Sequence, residues 1–409
     1  MNFKDKTLCK IRTITTFLSL TKDKTKWKDR LILAQQYCNE LSQVFSAKDY
    51  TVQSIRIVTN PFGEYLNTES LKTAKNDLAY LSQLLNTSGA SAPRVRFAIG
   101  EARTEHEIAL LPELIKEYGD LCNACVNVGL DESGILDNSL IEHSVKAIAK
   151  ISEITPRGEG NFNFTVNFNC KPLIPYFPAS YHSSEMEDSF VIGLETPDLL
   201  VQTLKSYNQN TDCQNHNERF NGYFECLSSA LHYHINNINS IIQQLPESQF
   251  SFSGFDSSAA PSKYCSSMTE VYQLMGVEYF GASGTVEASS LLTRVFRSIK
   301  GVELVGFSGL MLALTEDRGL AEGTINSDFD IRSLLTYSAV CGIGLDTVPI
   351  PGDTPQHKIA ALMRDTGTMA YRLNKPLTVR LFPVPDLKAG DMTFFQSDDL
   401  CNCAVLSVP

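Results

Sequence analysis

Ile11-Arg12-Thr13-Ile14-Thr15-Thr16-Phe17-Leu18 reads as a strand, and the residues after it change period: Trp27, Leu31, Ala34, Cys38, Leu41 and Phe45 recur at steps of three and four. The pairing repeats. Strand-like runs at 53–59, 94–99 and 124–129 alternate with helical patterns such as Leu71, Ala74, Leu78, Leu81 and Leu85. Four consecutive β-α units imply parallel strands covered by helices. Further strand-like runs lie at 163–168, 190–194, 249–255, 276–280, 302–307 and 377–382, which brings the expected sheet to about ten strands. Periodicity alone does not separate a closed barrel from an open sheet.

Two segments interrupt the alternation. Pro172-Leu173-Ile174-Pro175-Tyr176-Phe177-Pro178 cannot continue a central strand or a helix, so it is expected as a loop near the mouth of the sheet, leading into Tyr181, His182 and Glu185. The asparagine-rich stretch 208–221 is expected as a surface connection before a helix over 223–244. No composition shift marks a boundary, so residues 1–409 are expected to form a single domain with a loop-rich elaboration at about 170–222.

With 409 residues, 43% hydrophobic and 20% charged, the chain has ample material for a core. No apolar run approaches the ~18 residues a membrane helix needs, so no membrane partner is expected. A net charge of −11 argues against a phosphate-backbone partner, hence no nucleic acid. The basic residues between Lys4 and Arg30 are interleaved with Asp5, Asp23 and Asp29, the pattern of a solvated face. No secretory signal is recognisable, which makes the cytoplasm the expected location. The 11 cysteines are odd in number and irregularly spaced; Cys122-x-x-Cys125 and Cys401-x-Cys403 are the close pairs, and free packing thiols are expected.

Residues 301–385 concentrate turn residues and acids: Gly306-Phe307-Ser308-Gly309, Thr315-Glu316-Asp317-Arg318-Gly319, Gly344-Leu345-Asp346 and Pro351-Gly352-Asp353-Thr354-Pro355. Glycine and proline fix backbone shape, so acids on such turns are positioned ones. Arg12, Arg56, Arg96 and Arg380 each sit inside a strand-like apolar run, where a permanently charged guanidinium needs a carboxylate partner or a polar cavity. Glu316, Asp317, Asp346 and Asp353 are the natural partners. Glu316 and Asp317 fit general acid-base roles, cation ligation together with Asp346 or Asp353 as hard oxygen donors for Mg or Ca, or a helix cap. Ser283, Gly284 and Thr285 stand where a helix N-terminus would accept an anion. No dinucleotide or P-loop fingerprint is present, so no nucleotide cofactor is expected. His232 and His234, two apart on a helix, make a poor metal pair.

The run from the Ser-Gly turn through Glu316-Asp317-Arg318-Gly319, Gly344-Leu345-Asp346, Ile350-Pro351-Gly352-Asp353-Thr354-Pro355 and Val379-Arg380-Leu381-Phe382-Pro383 resembles domain-of-unknown-function family 711, also called uncharacterised protein family 0210. Weaker matches reach Ile11-Arg12-Thr13, Val126-Asn127-Val128-Gly129, Asp256 and Gly281-Ala282-Ser283-Gly284-Thr285. The resemblance implies an α/β fold: a roughly ten-stranded, mainly parallel β/α barrel similar to the pyruvate formate-lyase-like fold of glycyl radical enzymes. Those enzymes need a glycine after the C-terminal arginine; none follows Arg380, so radical chemistry is not expected. The resemblance also favours Asn127 as a binding residue and His182 and Asp256 as acid-base residues. The chain departs from the family between 156 and 249, including the glycine-rich run after the histidine.

Together these readings point to an enzyme acting on a small anionic, carboxylate-bearing metabolite. Arg12, Arg56 and Arg380, with Asn127 and Ser283 to Thr285, would bind it; His182, Glu316, Asp317 and Asp256 would carry the chemistry; Asp346 and Asp353 would hold a cation. Hydrolysis, elimination and isomerisation all use this toolkit. A homodimer is expected. The alternative is a non-catalytic sensor working with an ACT-domain protein, as the family's gene neighbours imply.

Overall fold

Eight of the ten strand-like runs join in one sheet. A computed structural model describes residues 3–86, 94–212 and 215–409. The strands are β1 (Lys10–Leu18), β2 (Ser54–Thr59), β3 (Arg94–Glu101), β4 (Asn123–Val128), β5 (Phe164–Phe168), β6 (Ser189–Glu195), β7 (Ser251–Asp256), β8 (Gly344–Pro351) and β9 (Leu377–Val384). They form a nine-stranded sheet in the order β7-β6-β1-β2-β3-β4-β5-β9-β8. Strands β1 to β5 run parallel, while β6 and β9 join them antiparallel at either side and β7 and β8 follow their own neighbours in parallel. The architecture is α/β with a mostly parallel sheet.

The crossovers are helices α1 (Trp27–Ser46), α2 (Leu71–Asn86), α3 (Glu105–Tyr118) and α4 (Asn138–Ile154). Local chemistry fixes their starts. Thr104 and Glu107 form a reciprocal capping box on α3, and Asp137 caps α4 by accepting from the Leu140 amide. Their apolar stripes, including Trp27, Leu31, Leu78, Leu111 and Ile148, merge with Ile14, Ile55, Ile57, Phe97, Val126, Val166 and Val379 from the strands in one core.

Those strand residues alternate with a second set: Thr15, Arg56, Arg96, Cys125, Asn127, Thr165, Asn167, Thr378 and Arg380. A strand's side chains alternate between faces, so one face of this sheet is apolar and helix-covered while the other carries these polar residues beside a small apolar cluster of Phe17, Val58, Ala98 and Val191. The 170–182 connection lies against that polar face. Its Pro175 carbonyl accepts from Arg56 Nη1 (2.9 Å) and Thr15 Oγ1 (3.4 Å), its Ala179 carbonyl from Asn167 Nδ2 (3.1 Å), and its Phe177 carbonyl from Arg380 Nη1 (3.5 Å). The proline run is a loop, as expected, and it packs down onto this face of the sheet.

The two sheet edges are spanned by one segment. Leu304 bridges to Phe255 of β7 and Ala313 bridges to Asp346 of β8. Between these bridges Gly309 packs against Gly342: a Cβ on Gly342 would stand 2.9 Å from the Gly309 Cα, closer than the backbone allows without shifting.

Several sequence expectations need correction. Gly344-Leu345-Asp346 and Pro351, expected on turns, belong to strand β8; it occupies an edge of the sheet, where the missing amide donors of Pro349 and Pro351 cost little. The 302–307 run makes a single bridge instead of a strand. The 276–280 run is a turn: Gly276 adopts φ 90° after the helix Met268–Leu274, and Phe280 packs edge-on against Tyr272 at 5.0 Å. The stretch at 170–222 contains, besides the strand expected at 190–194, an α-helix, Pro197–Asn210, and the next helix begins at His216 rather than 223. All ten described cysteines are free.

Candidate functional site

Arg380, in the middle of β9, has its side chain on the polar face and almost wholly buried. Its Nε donates to Asp346 Oδ1 at 2.6 Å, its Nη2 to Glu316 Oε1 at 2.6 Å, and its Nη1 to the Phe162 carbonyl at 3.3 Å, while its plane stacks 4.9 Å from the Phe162 ring. Burial alone opposes the charge, but Asp346 and Glu316 outweigh it and hold Arg380 above its ordinary value. Glu316 is pushed up by burial and by the Asp346 carboxylate, against the pull of Arg380 and Arg12.

Arg12 approaches the same carboxylate from β1, with Nη2 3.9 Å from Glu316 Oε2. It also reaches Glu195 Oε2 at 3.6 Å and donates to Gln53 Oε1 at 3.2 Å. Residues 12, 316, 346 and 380, far apart in sequence, therefore meet on one face.

Arg56 differs. It is buried at the centre of β2, donates through Nη1 to the Pro175 carbonyl at 2.9 Å and stacks 4.9 Å from the Phe177 ring. No carboxylate among the described residues lies within ion-pair distance, and its buried Nε has no hydrogen-bond partner. Burial, reinforced by the Arg96 and Arg12 charges, pushes it down to about 9.

These groups line a cavity of 40 Å³ whose wall includes Arg12, Arg56, Arg380, Glu316, Asp346 and Tyr176. At roughly 10–15 Å³ per water it has room for about three waters or one small anion group. Of its lining side chains three are cationic and two anionic; Arg12 and Arg380 have carboxylates at ion-pair distance, and Arg56 does not.

The other candidate site residues, Asn127, His182, Asp256, Ser283 to Thr285, Asp317 and Asp353, do not line this cavity. Asp317 is the N-cap of the helix Arg318–Asn326: it accepts from the Gly319, Leu320 and Met268 amides and from the Ser267 hydroxyl, so the capping alternative is the one realised. Asp256 accepts from the amides of Ser258, Phe307 and Ser308 and from Ser258 Oγ, fastening the 306–308 turn; burial pushes it up to about 6. A Cβ on Gly306 would stand 2.1 Å from Asp256 Oδ2, which explains that glycine. His182 is buried, neither ring nitrogen has a partner, and burial pushes it down to about 4. Asn127 accepts from Asn167 Nδ2 at 3.0 Å on the polar face of β4.

Asp353 is exposed on the turn after β8 and does not join Asp346, so the two cannot form a shared cation site. Among the described residues no group of three or more His, Cys, Asp or Glu side chains has a metal-binding arrangement. Ser283 and Gly284 are exposed at the start of the helix Thr285–Arg297; Gly284 adopts φ 101°, and Thr285 Oγ1 accepts from the Gly281 amide at 3.1 Å, an ordinary tight turn. Sequence reading missed Glu195, which receives Lys10 Nζ at 3.0 Å and Gln53 Nε2 at 2.8 Å as well as facing Arg12. The period of two through Val191, Gly193 and Glu195 was the available signal. It also left out Thr165 and Thr378 of the cavity wall.

The chain belongs to the family described as Uncharacterised ACR (DUF711), whose pattern matches residues 3–396. Similar curated proteins are the UPF0210 proteins of Clostridium botulinum strain Alaska E43 (27% identical, covering 70% of this chain and 63% of the relative) and Clostridium beijerinckii (26%, with the same coverage). That of Oleidesulfovibrio alaskensis is 25% identical over 91% of this chain and 82% of its own. The chain thus spans about 63% of the length of the first of these relatives. Among solved structures, the anaerobic ribonucleotide reductase from Thermotoga maritima matches with a TM-score of 0.43 and 9% identity, over 90% of this chain and 80% of that one. No helix among the described residues is long and apolar enough to cross a membrane.

Proposed function

We propose that this chain binds a small carboxylate-bearing anion in the arginine-lined cavity and that Glu316 exchanges a proton with it. The supporting observation is Arg56, a buried guanidinium with no carboxylate at ion-pair distance. An unpaired buried charge is costly, and an anionic ligand supplies the missing partner. Glu316 is the acid for proton transfer because it faces the cavity and its affinity for a proton is raised by burial. Arg12 and Arg380 then act on Glu316, stabilising its charged form after it gives up the proton. Acid-base chemistry of this kind serves hydrolysis, elimination or isomerisation.

One observation favours the sensor reading: both cavity acids are already held by Arg380 at 2.6 Å. Proton NMR of the chain in D₂O with a panel of small hydroxy and keto acids separates the two. Turnover or solvent-deuterium incorporation that disappears in Glu316→Gln supports the enzyme. Binding without exchange anywhere in the panel overturns it in favour of the sensor.

A further inference from the structure

Arg56 has a neighbour that the cavity does not include. In the parallel register between β2 and β3, Arg56 pairs with Arg96, so the two side chains project from adjacent strands onto the same polar face. Arg96 has an ionic partner, and it comes from far away in sequence: the Arg96 Nη2 meets Asp399 Oδ2 in the C-terminal tail. That ion pair is at the wetter rim of the site, with the Arg96 side chain 15% exposed and Asp399 31% exposed.

The turn that carries Asp399 is narrow and held at both ends. Phe395 and Leu400 are buried together with Phe382 and Val384, the Gln396 amide donates to Glu159 Oε1 at 2.7 Å, and the Cys401 amide donates to the Thr315 carbonyl at 2.6 Å. Between these anchors Asp398 is almost fully exposed, and the turn closes on itself through the Leu400 amide to the Ser397 carbonyl at 3.2 Å. Two arginines in register, one without a carboxylate and one holding a carboxylate borrowed from an exposed turn, have the donor pattern of a two-headed site with one head already filled from within.

We infer that the anion is a short dicarboxylate: one carboxylate binds Arg56, and the other replaces Asp399 on Arg96, displacing the 396–399 turn. The inference rests on the proposed function, since it needs Arg56 to be the first anchor. Adjacent strands lie ~4.8 Å apart, which suits two carboxylates joined by a two-carbon link, and a bidentate fork of Arg is matched to a carboxylate at each end. Asp399 then sets specificity: a monocarboxylate cannot compete for Arg96 and leaves the tail in place.

The test compares succinate with propionate by isothermal titration on the full chain. Succinate should bind at least tenfold more tightly in the unaltered protein. Asp399→Asn, which removes the competing carboxylate, should widen that ratio by about tenfold, and Arg96→Gln should collapse it to near one. Hydrogen exchange supplies a readout independent of variant stability: amides of 396–400 should exchange faster with succinate than with propionate. Equal affinity for the two probes, or a ratio unmoved by Asp399→Asn, overturns the dicarboxylate inference while leaving Arg56 as an anion anchor. Binding of neither probe overturns the reading of Arg56 itself.

Discussion

Arg380 and Arg56 both project from strands into one cavity, and their surroundings differ in kind. Arg380 has two carboxylates at 2.6 Å and two carbonyls, so its fork is filled by the protein. Arg56 has one carbonyl and an aromatic ring. A filled fork serves the fold, because removing it strands two buried acids; an unfilled one spends stability and needs a reason outside the fold. Burial alone therefore does not identify a binding residue, whereas burial without compensation does.

The largest effect that tests this contrast is Arg380→Ala. Leaving Asp346 buried and unpaired, and Glu316 with only the longer contact to Arg12, should cost about 3–5 kcal/mol in chemical denaturation. A loss under about 1 kcal/mol would mean that the cluster is not structural. Next is the buried His182. Its folded-state value near 4 is depressed, so above about pH 6.5 it has no effect, and between about 6.5 and 4 the unfolded chain takes up a proton the folded chain refuses. Stability should fall across that window by on the order of 3 kcal/mol from this residue, and His182→Leu should remove that loss. Asp256 opposes it: its value near 6 is raised, so the folded chain gains stability as pH falls from about 6 towards 4, and the His182→Leu denaturation series should expose that gain. An unchanged pH profile in the variant would contradict the burial assigned to the imidazole.

The adjacent acids give a smaller contrast. Asp317→Ala should cost about 1–2 kcal/mol through the lost helix cap without altering the ligand response, while Glu316→Gln should alter the response. Asp353→Asn, on an exposed turn, should stay within about 0.5 kcal/mol. A ligand effect at Asp353 would relocate the site.

Much of this was legible from alternation. The β-α repeats placed β1 to β4, and polar residues inside apolar strand runs marked Arg12, Arg56 and Arg380 as facing something other than the core. β8 was not legible, because Pro349 and Pro351 break a central strand but are tolerated at an edge, and edge position is a property of the whole sheet. The fates of Glu316 and Asp317 were not separable either, since one backbone step at a helix start turns one acid towards Arg380 and the other onto free amides. Asp353 was grouped with Asp346 by proximity in sequence, yet the strand between them carries it beyond the site.

The central claim is that Arg56 is kept for a ligand and not for the fold. Thermal unfolding of Arg56→Met with and without propionate tests it most directly. Replacing an unpaired buried cation by an apolar side chain should raise the ligand-free Tm, and the upward shift that propionate gives the unaltered chain should vanish. A Tm lowered as far as in Arg380→Ala, or a propionate shift that survives the substitution, would contradict the account.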